Sequence, residues 1–504
     1  MKLPIGISTF KEIREDYVYV DKTKYIMELI NNHKYAFLSR PRRFGKSLLC
    51  DTLKELFKGN KELFNGLYIF DKYDFKKYPV IKISFGGIRG VEDLKLYLSY
   101  QLELSQELLD IECKYKDNAL CFSELIKKSA KKYKEKVVIL IDEYDKPILD
   151  NIEDTKVAID IREYLKRFYT EIKENDAYIR FCFITGVSKF AKVSIFSGLN
   201  NLDDISLDKR YASMCGYTQK ELEDVFGELL KDVDLDKVRE WYNGYNFNGK
   251  SVYNPFDILL FISKGYVYNN YWFSTGTPSF LIKVLKKRNY FLPQIEHLRT
   301  DGSLINSFDI EDIRLEPILF QSGYLTIDEI KESRRGGIEY ILRIPNKEVQ
   351  ISFNNMLIDY FTDNRNNISL RKSSIEAFKK DNMDLLEENL KSLYASIPYN
   401  YFVKNGLDKY EGYYASVFYA YIASLGLKII AEDVTNRGRI DFTVGFKDKY
   451  YIFEFKVRDE DPLKQIKEKR YFDKYLGKGK EVVIIGIVFD ENIRNIKEFV
   501  WEKV

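Results

Sequence analysis

The feature that most constrains the fold is a short apolar segment followed by a loop that ends in glycine, lysine and serine. Residues 35–39 (YAFLS) have the composition of a buried strand, and apolar residues after Ser47 recur at helical spacing. The loop between them, residues 40–47, is RPRRFGKS. In a strand–loop–helix arrangement, backbone N–H groups of the loop and the helix N-terminus bind nucleotide phosphates. The pattern is therefore the context that a nucleotide phosphate loop requires.

In such a loop the lysine reaches the terminal phosphates and the serine hydroxyl can ligate Mg²⁺. Ser47 is thus expected to be a metal ligand as well. The residues expected to contact the nucleotide are Arg40, Arg42, Arg43, Phe44, Gly45, Lys46 and Ser47. Arg40 stands where the first glycine of the loop is usual. Judged by itself, the segment is better interpreted as a basic surface loop before a helix.

A second apolar segment, residues 137–141 (VVILI), supplies the missing half of the site. An uninterrupted apolar run is typical of a parallel strand buried on both faces. It ends in Asp142 and Glu143. Asp142 is placed to hold the water shell of Mg²⁺, and Glu143 to polarise the attacking water. An acidic pair after a strand is otherwise a solvated strand end, but the two signals together favour a P-loop NTPase.

Two further apolar segments, residues 80–84 and 179–184, complete a predicted sheet. Helical patterns lie between the strands, around residues 91–110 and 155–175. Strands that alternate with helices predict a doubly wound α/β domain whose ligand binds at the carboxyl ends of the strands. Either Thr185 or Ser188 could place a hydroxyl near the γ-phosphate, and the sequence leaves the choice open.

The last quarter of the chain contains a predicted β-hairpin. Residues 439–446 and 451–457 alternate apolar and polar positions around a polar turn. A two-residue turn at positions 447 and 448 places Asp441 directly across from Glu454, with Lys456 on the same face. Opposed carboxylates suit a shared divalent cation. A three-residue bulged turn would break this register, and a face of ordinary salt bridges is the competing interpretation.

These residues predict a metal site without histidine. The chain has 2 histidines, neither of them in a motif, so hard oxygen ligands favour Mg²⁺ or Mn²⁺ over zinc. A helix that begins near Glu411 could bring its carboxylate to the same metal. Lys456 could orient or activate the attacking water and stabilise the charged phosphorane.

Several motifs together resemble a bacterial and archaeal family with an AAA-ATPase-like domain. They are PIG at residues 4–6, YVDKT at 19–23, the loop at 40–47, IDEYDKP at 141–147 and ITGVSK at 184–189. The resemblance covers nearly the whole chain, and it makes Arg40 a feature of the family. Members carry a C-terminal domain of the PD-(D/E)XK nuclease superfamily. The expected fold class is therefore α/β, with an N-terminal parallel sheet and a mixed sheet in the C-terminal domain.

The resemblance also implies a complete nuclease site. It assigns Glu411, Asp441 and Glu454 as metal ligands, Lys456 as catalytic and Gln465 as an assisting residue. DNA is the implied substrate, and a homo-oligomer is left open. On this basis we expect residues 1–205 to form the ATPase-like domain, 206–375 a helical lid or winged-helix-like bridging region, and 376–504 the nuclease-like domain. The aromatic clusters of the middle region are expected to pack as core rather than to stack on bases.

The resulting hypothesis is an ATP-binding protein, expected to hydrolyse ATP, whose nucleotide state gates a metal-dependent DNA endonuclease. A role in defence or mobile-element biology is implied by the family alone. The alternative is a nucleotide-dependent switch or scaffold that binds DNA or a protein partner without cutting it. Lys plus Arg number 80 and Asp plus Glu 77, so any nucleic-acid surface is a local patch.

Composition predicts a cytoplasmic protein with no membrane contact. No apolar run approaches the roughly 20 residues that span a bilayer, and the start of the chain lacks the pattern of a signal peptide. The 5 cysteines include no C-x-x-C pair and are expected to be reduced and mostly buried.

Overall fold

The computed structural model describes most of the chain as two compact units. The described residues are 2–189, 195–196, 199, 201–273, 295, 298–302, 310, 314–332, 336–362, 368–397, 411–457, 461–476, 480–490 and 492–504, apart from the side chains of 360, 361 and 411. The first unit lies within residues 1–284 and 299–346, and the second within 285–298 and 347–504.

A five-stranded parallel sheet is the centre of the first unit. Its strands, in spatial order 2-3-4-1-5, are β1 (Tyr35–Ser39), β2 (Val80–Ser84), β3 (Val137–Asp142), β4 (Ile179–Gly186) and β5 (Asp203–Asp204). Every residue of β3 is buried, as expected for a strand covered by helices on both faces. The parallel arrangement confirms the predicted α/β fold and brings the carboxyl ends of the strands to one edge.

Helices connect and cover these strands. They are α1 (Phe10–Asp16), α2 (Thr23–Asn32), α3 (Lys46–Phe57), α4 (Gly90–Leu109), α5 (Asn118–Tyr133), α6 (Lys146–Leu149) and α7 (Thr155–Glu174). Aspartates that precede α5 and α7 accept backbone N–H bonds from the first turn and so fix where each helix begins.

Beyond β5, the described part of the first unit contains further helices and a second sheet. These helices are α8 (Gln219–Phe226), α9 (Leu235–Tyr242), α10 (Pro255–Ser263) and α11 (Leu315–Ser322), and the strands β6 (Arg299–Asp301), β7 (Thr326–Glu332) and β8 (Ile338–Arg343) form an antiparallel sheet in the order 6-8-7. Phe226, Tyr242 and Phe261 are buried in one apolar cluster with Val238 and Ile258. The aromatic residues therefore pack as core, as the sequence predicts.

The second unit is built on a mixed five-stranded sheet in the order 13-12-11-10-9. Only the β11–β12 pair is parallel among its adjacent strands. The strands are β9 (Lys428–Val434), β10 (Arg439–Phe446), β11 (Lys449–Lys456), β12 (Glu481–Asp490) and β13 (Asn495–Lys503), and the helices are α12 (Lys347–Thr362), α13 (Ile368–Lys380), α14 (Met383–Ala395), α15 (Glu411–Ser424), α16 (Pro462–Lys469) and α17 (Asp473–Leu476).

Opposite faces of this sheet bury different side chains. On one face, the Phe418 ring of α15 lies 4.8–5.2 Å from the rings of Phe442, Phe453 and Phe455. On the other face, Ile466 of α16 joins a buried apolar cluster with residues of β10, β11 and β12. The predicted alternation of the hairpin is thus confirmed. Glu454 and Lys456 lie on the face that α16 covers.

Gly486 allows α16 to approach this face closely. It lies beside Glu454 in the sheet, and a Cβ at residue 486 would lie 2.3 Å from Cγ of Pro462. Pro462 is the first residue of α16, and Gln465 follows within the next turn. The absence of a side chain at position 486 therefore sets how near Gln465 comes to Glu454.

The five cysteines are free thiols, and four of them are buried. No helix among the described residues is both long enough and apolar enough to cross a membrane. The division of the chain at residues 205 and 375 stays a prediction.

We expect Gly486→Ala to destabilise the second unit by about 1–3 kcal/mol, because the added methyl group overlaps Pro462 and pushes α16 from the sheet. Urea unfolding followed by circular dichroism measures this loss. Gly445→Ala is the matched control on β10, because its Cβ would lie 3.4 Å from the nearest side-chain atom, an ordinary contact. Equal unfolding midpoints for the two variants would show that α16 is not held by this close approach.

Candidate active sites

The loop of residues 40–47 lies at the carboxyl edge of the parallel sheet. It joins the end of β1 to the start of α3, so the helix N-terminus opens onto that edge. Gly45 precedes the helix with a φ of 91°, in the left-handed region that glycine adopts without strain. This conformation turns the chain from the loop into the helix and explains why glycine is needed there.

A cavity of about 370 Å³ adjoins the loop. The residues predicted to serve the nucleotide that line it are Arg42, Arg43, Gly45, Lys46, Ser47 and Glu143. The geometry therefore brings together six of these predicted residues.

The sequence did not predict the other residues that line this cavity. They include Pro4 and residues 6–8 of the N-terminal segment, and Tyr217, Pro255 and Phe256. The guanidinium of Arg43 also lies 4.8 Å from the centre of the Phe256 ring, within reach of a cation–π contact. The motif at residues 4–6 was a sequence signal, but nothing in its composition identifies what it contacts.

Lys46 bridges the loop from inside. Its Nζ donates hydrogen bonds to the carbonyl oxygens of Arg40 and Pro41, at 2.8 and 2.9 Å. Burial lowers the pKa of Lys46, an effect that the nearby carboxylates of Asp142 and Asp145 oppose. The lysine is therefore held at the cavity by weak carbonyl acceptors that phosphate oxygens, as stronger acceptors, would replace.

Asp142 and Glu143 take different positions at the end of β3. Asp142 is buried and accepts a hydrogen bond from the Thr185 hydroxyl at 2.7 Å. Glu143 lines the cavity, and burial followed by the Asp142 charge raises its pKa. Of the two hydroxyl residues left open by the sequence, Thr185 is the one bonded to Asp142.

Asp145 is a site residue that sequence reasoning missed. It is 1% exposed and accepts backbone N–H bonds from Val187 at 3.1 Å and from Ser188 at 2.5 Å. Burial raises its pKa to about 6. The carboxylate thus fixes the chain where it leaves β4, beside the predicted γ-phosphate position. Its place in the IDEYDKP motif was visible, but its burial was not.

Arg40 and Phe44 point away from the cavity and anchor the loop. The Arg40 guanidinium is 1% exposed and donates to the carbonyl oxygens of Ser39, Ser206 and Tyr211, at 2.8, 2.7 and 3.2 Å. The geometry gives no support to their predicted nucleotide contacts, which stay predictions. Arg40 instead ties the loop to a segment far along the chain.

The Phe44 ring makes the same kind of attachment through aromatic contacts. Its centre lies 4.9 Å from that of Tyr245 and 5.7 Å from that of Phe247. Arg40 also lies over the Phe247 ring, at 4.1 Å. The phosphate loop is therefore fastened to the middle region by two neighbouring side chains.

In the second unit, the predicted hairpin register is confirmed. Phe446 pairs with Lys449 and Phe442 with Phe453, and residues 447–448 form the turn. The pairing ends at Phe442 and Phe453, and Asp441 and Glu454 are the next residues of the two strands. The Oδ2 atom of Asp441 accepts the backbone N–H of Phe455 at 2.7 Å, which fixes its carboxylate beside β11.

Four polar side chains then converge on the α16 face. Glu454 is 1% exposed, and its Oε1 accepts hydrogen bonds from Lys456 Nζ at 3.1 Å and from Gln465 Nε2. Burial raises the pKa of Asp441, whereas the Lys456 charge opposes this rise. The structure thus brings together Asp441, Glu454, Lys456 and Gln465.

This donor set fits a hard divalent cation. Two adjacent carboxylates supply the oxygen ligands that Mg²⁺ and Mn²⁺ prefer. Helix α15 begins at Glu411, but the side chain of that predicted ligand lies outside the described residues. Among the described residues, no group of three or more His, Cys, Asp or Glu side chains is placed to hold a metal. The hairpin site therefore has two described carboxylates.

Comparison with known proteins finds two families on one chain. Residues 4–196 match the family described as predicted AAA-ATPase, and residues 409–499 match the PD-(D/E)XK nuclease superfamily. The chain is also 45% identical over 515 residues to an uncharacterized protein in the vnfD 5' region of Azotobacter chroococcum mcd 1, with 100% of this chain and 99% of that protein covered.

We expect Arg40→Gly, which restores the usual glycine, to destabilise the first unit by about 2–4 kcal/mol, because three carbonyl oxygens lose a charged donor. The denaturant midpoint of the first unit measures the change. Arg42→Gly is the control, because Arg42 is exposed and its replacement is expected to cost about 1 kcal/mol or less. If both variants unfold at the same midpoint, Arg40 does not anchor the loop.

Proposed function

The chain belongs to the predicted AAA-ATPase family with a C-terminal PD-(D/E)XK nuclease-superfamily domain, and we propose that it is an ATP-binding, metal-dependent DNA endonuclease. The observation that carries this proposal is the convergence of Asp441, Glu454 and Lys456 on one face of a hairpin. Like charges across a hairpin destabilise it unless something positive lies between them.

The residues of the hairpin divide the proposed reaction among them. Asp441 and Glu454 would hold Mg²⁺ or Mn²⁺, with Glu411 as the proposed third ligand. The cation supplies Lewis acidity and a more acidic bound water when present. Lys456 orients the attacking water and stabilises the charge that develops on the phosphorus oxygens. Gln465 keeps the Glu454 carboxylate in position through its hydrogen bond.

At the loop of residues 40–47, the chain would bind and hydrolyse ATP. Lys46 would leave its carbonyl acceptors for the phosphates, and Ser47 and Asp142 would hold Mg²⁺. Glu143, which lines the cavity, would polarise the attacking water. Arg42 and Arg43 add positive charge at the same end of the cavity.

We further propose that the nucleotide state gates DNA cutting. Support comes from the contacts of the phosphate loop with the middle region, through Arg40 and Phe44. Because of these contacts, a change in the loop on ATP binding would shift the residues of the middle region. Defence against foreign DNA or mobile-element biology is the proposed setting, where unregulated cutting would harm the host. Assembly of the chain into a homo-oligomer is part of the same proposal.

Plasmid cleavage tests the nuclease assignment. We expect Glu454→Gln to lower the cleavage rate by at least about 100-fold in Mn²⁺ or Mg²⁺, because it removes a metal-holding charge. EDTA is expected to abolish wild-type cleavage. Glu498→Gln, an exposed site on β13, is the matched control and should cut like wild type.

The same assay separates the two classes of function. If wild type cuts no more than a Glu454→Ala, Lys456→Ala variant, with or without ATP, the endonuclease proposal is wrong. A nucleotide-dependent switch or scaffold that binds DNA or a protein partner would then be the better account.

Release of inorganic phosphate tests the ATP site separately. Lys46→Ala should lower ATP hydrolysis by about 100-fold or more, because the loop loses the charge that faces the phosphates. Lys58→Ala, at the exposed end of α3, should leave the rate unchanged. A Lys46→Ala protein that binds and hydrolyses ATP like wild type would exclude this loop as the ATP site.

A further inference from the structure

Three of the five cysteines are shielded in the core of the first unit. Cys50, Cys182 and Cys215 are 0–3% exposed, and burial raises the pKa of each thiol. Thiolate is the reactive form of cysteine, so these three side chains are inert toward oxidants. The remaining two cysteines have a different environment.

Cys113 and Cys121 lie against each other. Cys113 is in the connection between α4 and α5 and is partly exposed. Its thiol donates to the backbone oxygen of Cys121 at 3.3 Å, which places the Cys113 sulfur at the start of α5. Cys121 lies in the first turns of α5 and is 6% exposed.

The chain around Cys113 is held in this position from both sides. The backbone N–H of Cys113 donates to Gln106 Oε1 of α4 at 2.6 Å. On the other side, the N–H of Lys114 donates to Glu124 Oε2 of α5 at 2.7 Å, and Lys128 Nζ donates to the backbone oxygen of Glu112 at 2.6 Å. Three hydrogen bonds therefore keep the Cys113 sulfur beside Cys121 without a covalent link.

We propose that Cys113 and Cys121 are a redox-active dithiol, which peroxide converts to a reversible disulfide. The structure assigns the two sulfurs different roles. Cys113 is the exposed member and would be oxidised first, whereas the shielded Cys121 would resolve the product. This site is independent of the ATP and nuclease sites.

The surroundings of Cys113 favour its thiolate. The neighbouring Cys121 side chain lowers the pKa of Cys113, and burial opposes this. The positive charge of Lys128 and the backbone N–H of Leu125 also favour the anion, whereas the Glu124 carboxylate disfavours it. A thiolate of lowered pKa that solvent can reach is the form that peroxide attacks.

The chemistry balances in two steps. The Cys113 thiolate attacks one oxygen of hydrogen peroxide, the O–O bond breaks, and a sulfenic acid and hydroxide form, with sulfur oxidised and peroxide reduced. The Cys121 sulfur then attacks the sulfenic sulfur, the S–O bond breaks, and the Cys121 proton leaves with the second hydroxide as water. The first hydroxide takes up the proton that Cys113 released on ionising, so the products are one disulfide and two waters. An external dithiol reverses the reaction.

The test uses the full-length protein, freed of reductant and treated with hydrogen peroxide. Free thiols are then alkylated and the protein is digested with trypsin, which cleaves after Lys114 and Lys116 and so separates the two cysteines. We expect a cross-linked pair of peptides that contains Cys113 and Cys121 and disappears with dithiothreitol. Cys182, a shielded thiol in the same unit, should stay reduced and should react with the alkylating reagent only once the protein is denatured.

Single variants distinguish the proposed roles. In Cys121→Ser, dimedone should trap sulfenic acid at Cys113, whereas in Cys113→Ser, Cys121 should be labelled several-fold less. The proposal is overturned if wild type shows no Cys113–Cys121 link at a peroxide dose that labels Cys113 in Cys121→Ser. It is also overturned if the Cys121 thiol is labelled as readily as Cys113.

Discussion

The second unit is organised around two carboxylates that its hairpin places side by side. Glu454 is buried and the pKa of Asp441 is raised by burial, so each charge would be costly to fold without compensation. Compensation comes from Lys456, from Gln465 and from the Phe455 N–H. With these donors in place, the carboxylate oxygens of Asp441 and Glu454 lie close together, and hard oxygen atoms of this kind bind divalent cations. The close packing of α16 on Gly486 serves the same arrangement, because it delivers Gln465.

In the first unit, three side chains hold the loop of residues 40–47 in a defined conformation. Lys46 spans the loop from inside, while Arg40 and Phe44 fasten it from behind. An arginine in place of the usual glycine therefore has a structural role here. Its charge is met by the backbone carbonyl oxygens of Ser39, Ser206 and Tyr211.

Local features were predictable from the sequence, and long-range ones were not. The register of the hairpin, from Phe446 with Lys449 to Phe442 with Phe453, follows from the two-residue turn, because a hairpin's pairing is determined by residues near in the chain. The placement of Lys46 and Asp142 at one edge of the sheet likewise follows from the strand pattern, because each comes at or just after the carboxyl end of a parallel strand. By contrast, Arg40 bonds Ser206, a contact between residues 166 positions apart, and the burial of Asp145 depends on the loop after β4. Neither is encoded in a local pattern.

We propose that the hairpin carboxylates hold a divalent cation, and anomalous scattering from crystals of the whole protein grown with Mn²⁺ tests this proposal. We expect a manganese peak within about 2.5 Å of carboxylate oxygens of both Asp441 and Glu454, and its loss in Glu454→Gln. A peak that is absent there while manganese binds elsewhere, or one that persists unchanged in the variant, would contradict it.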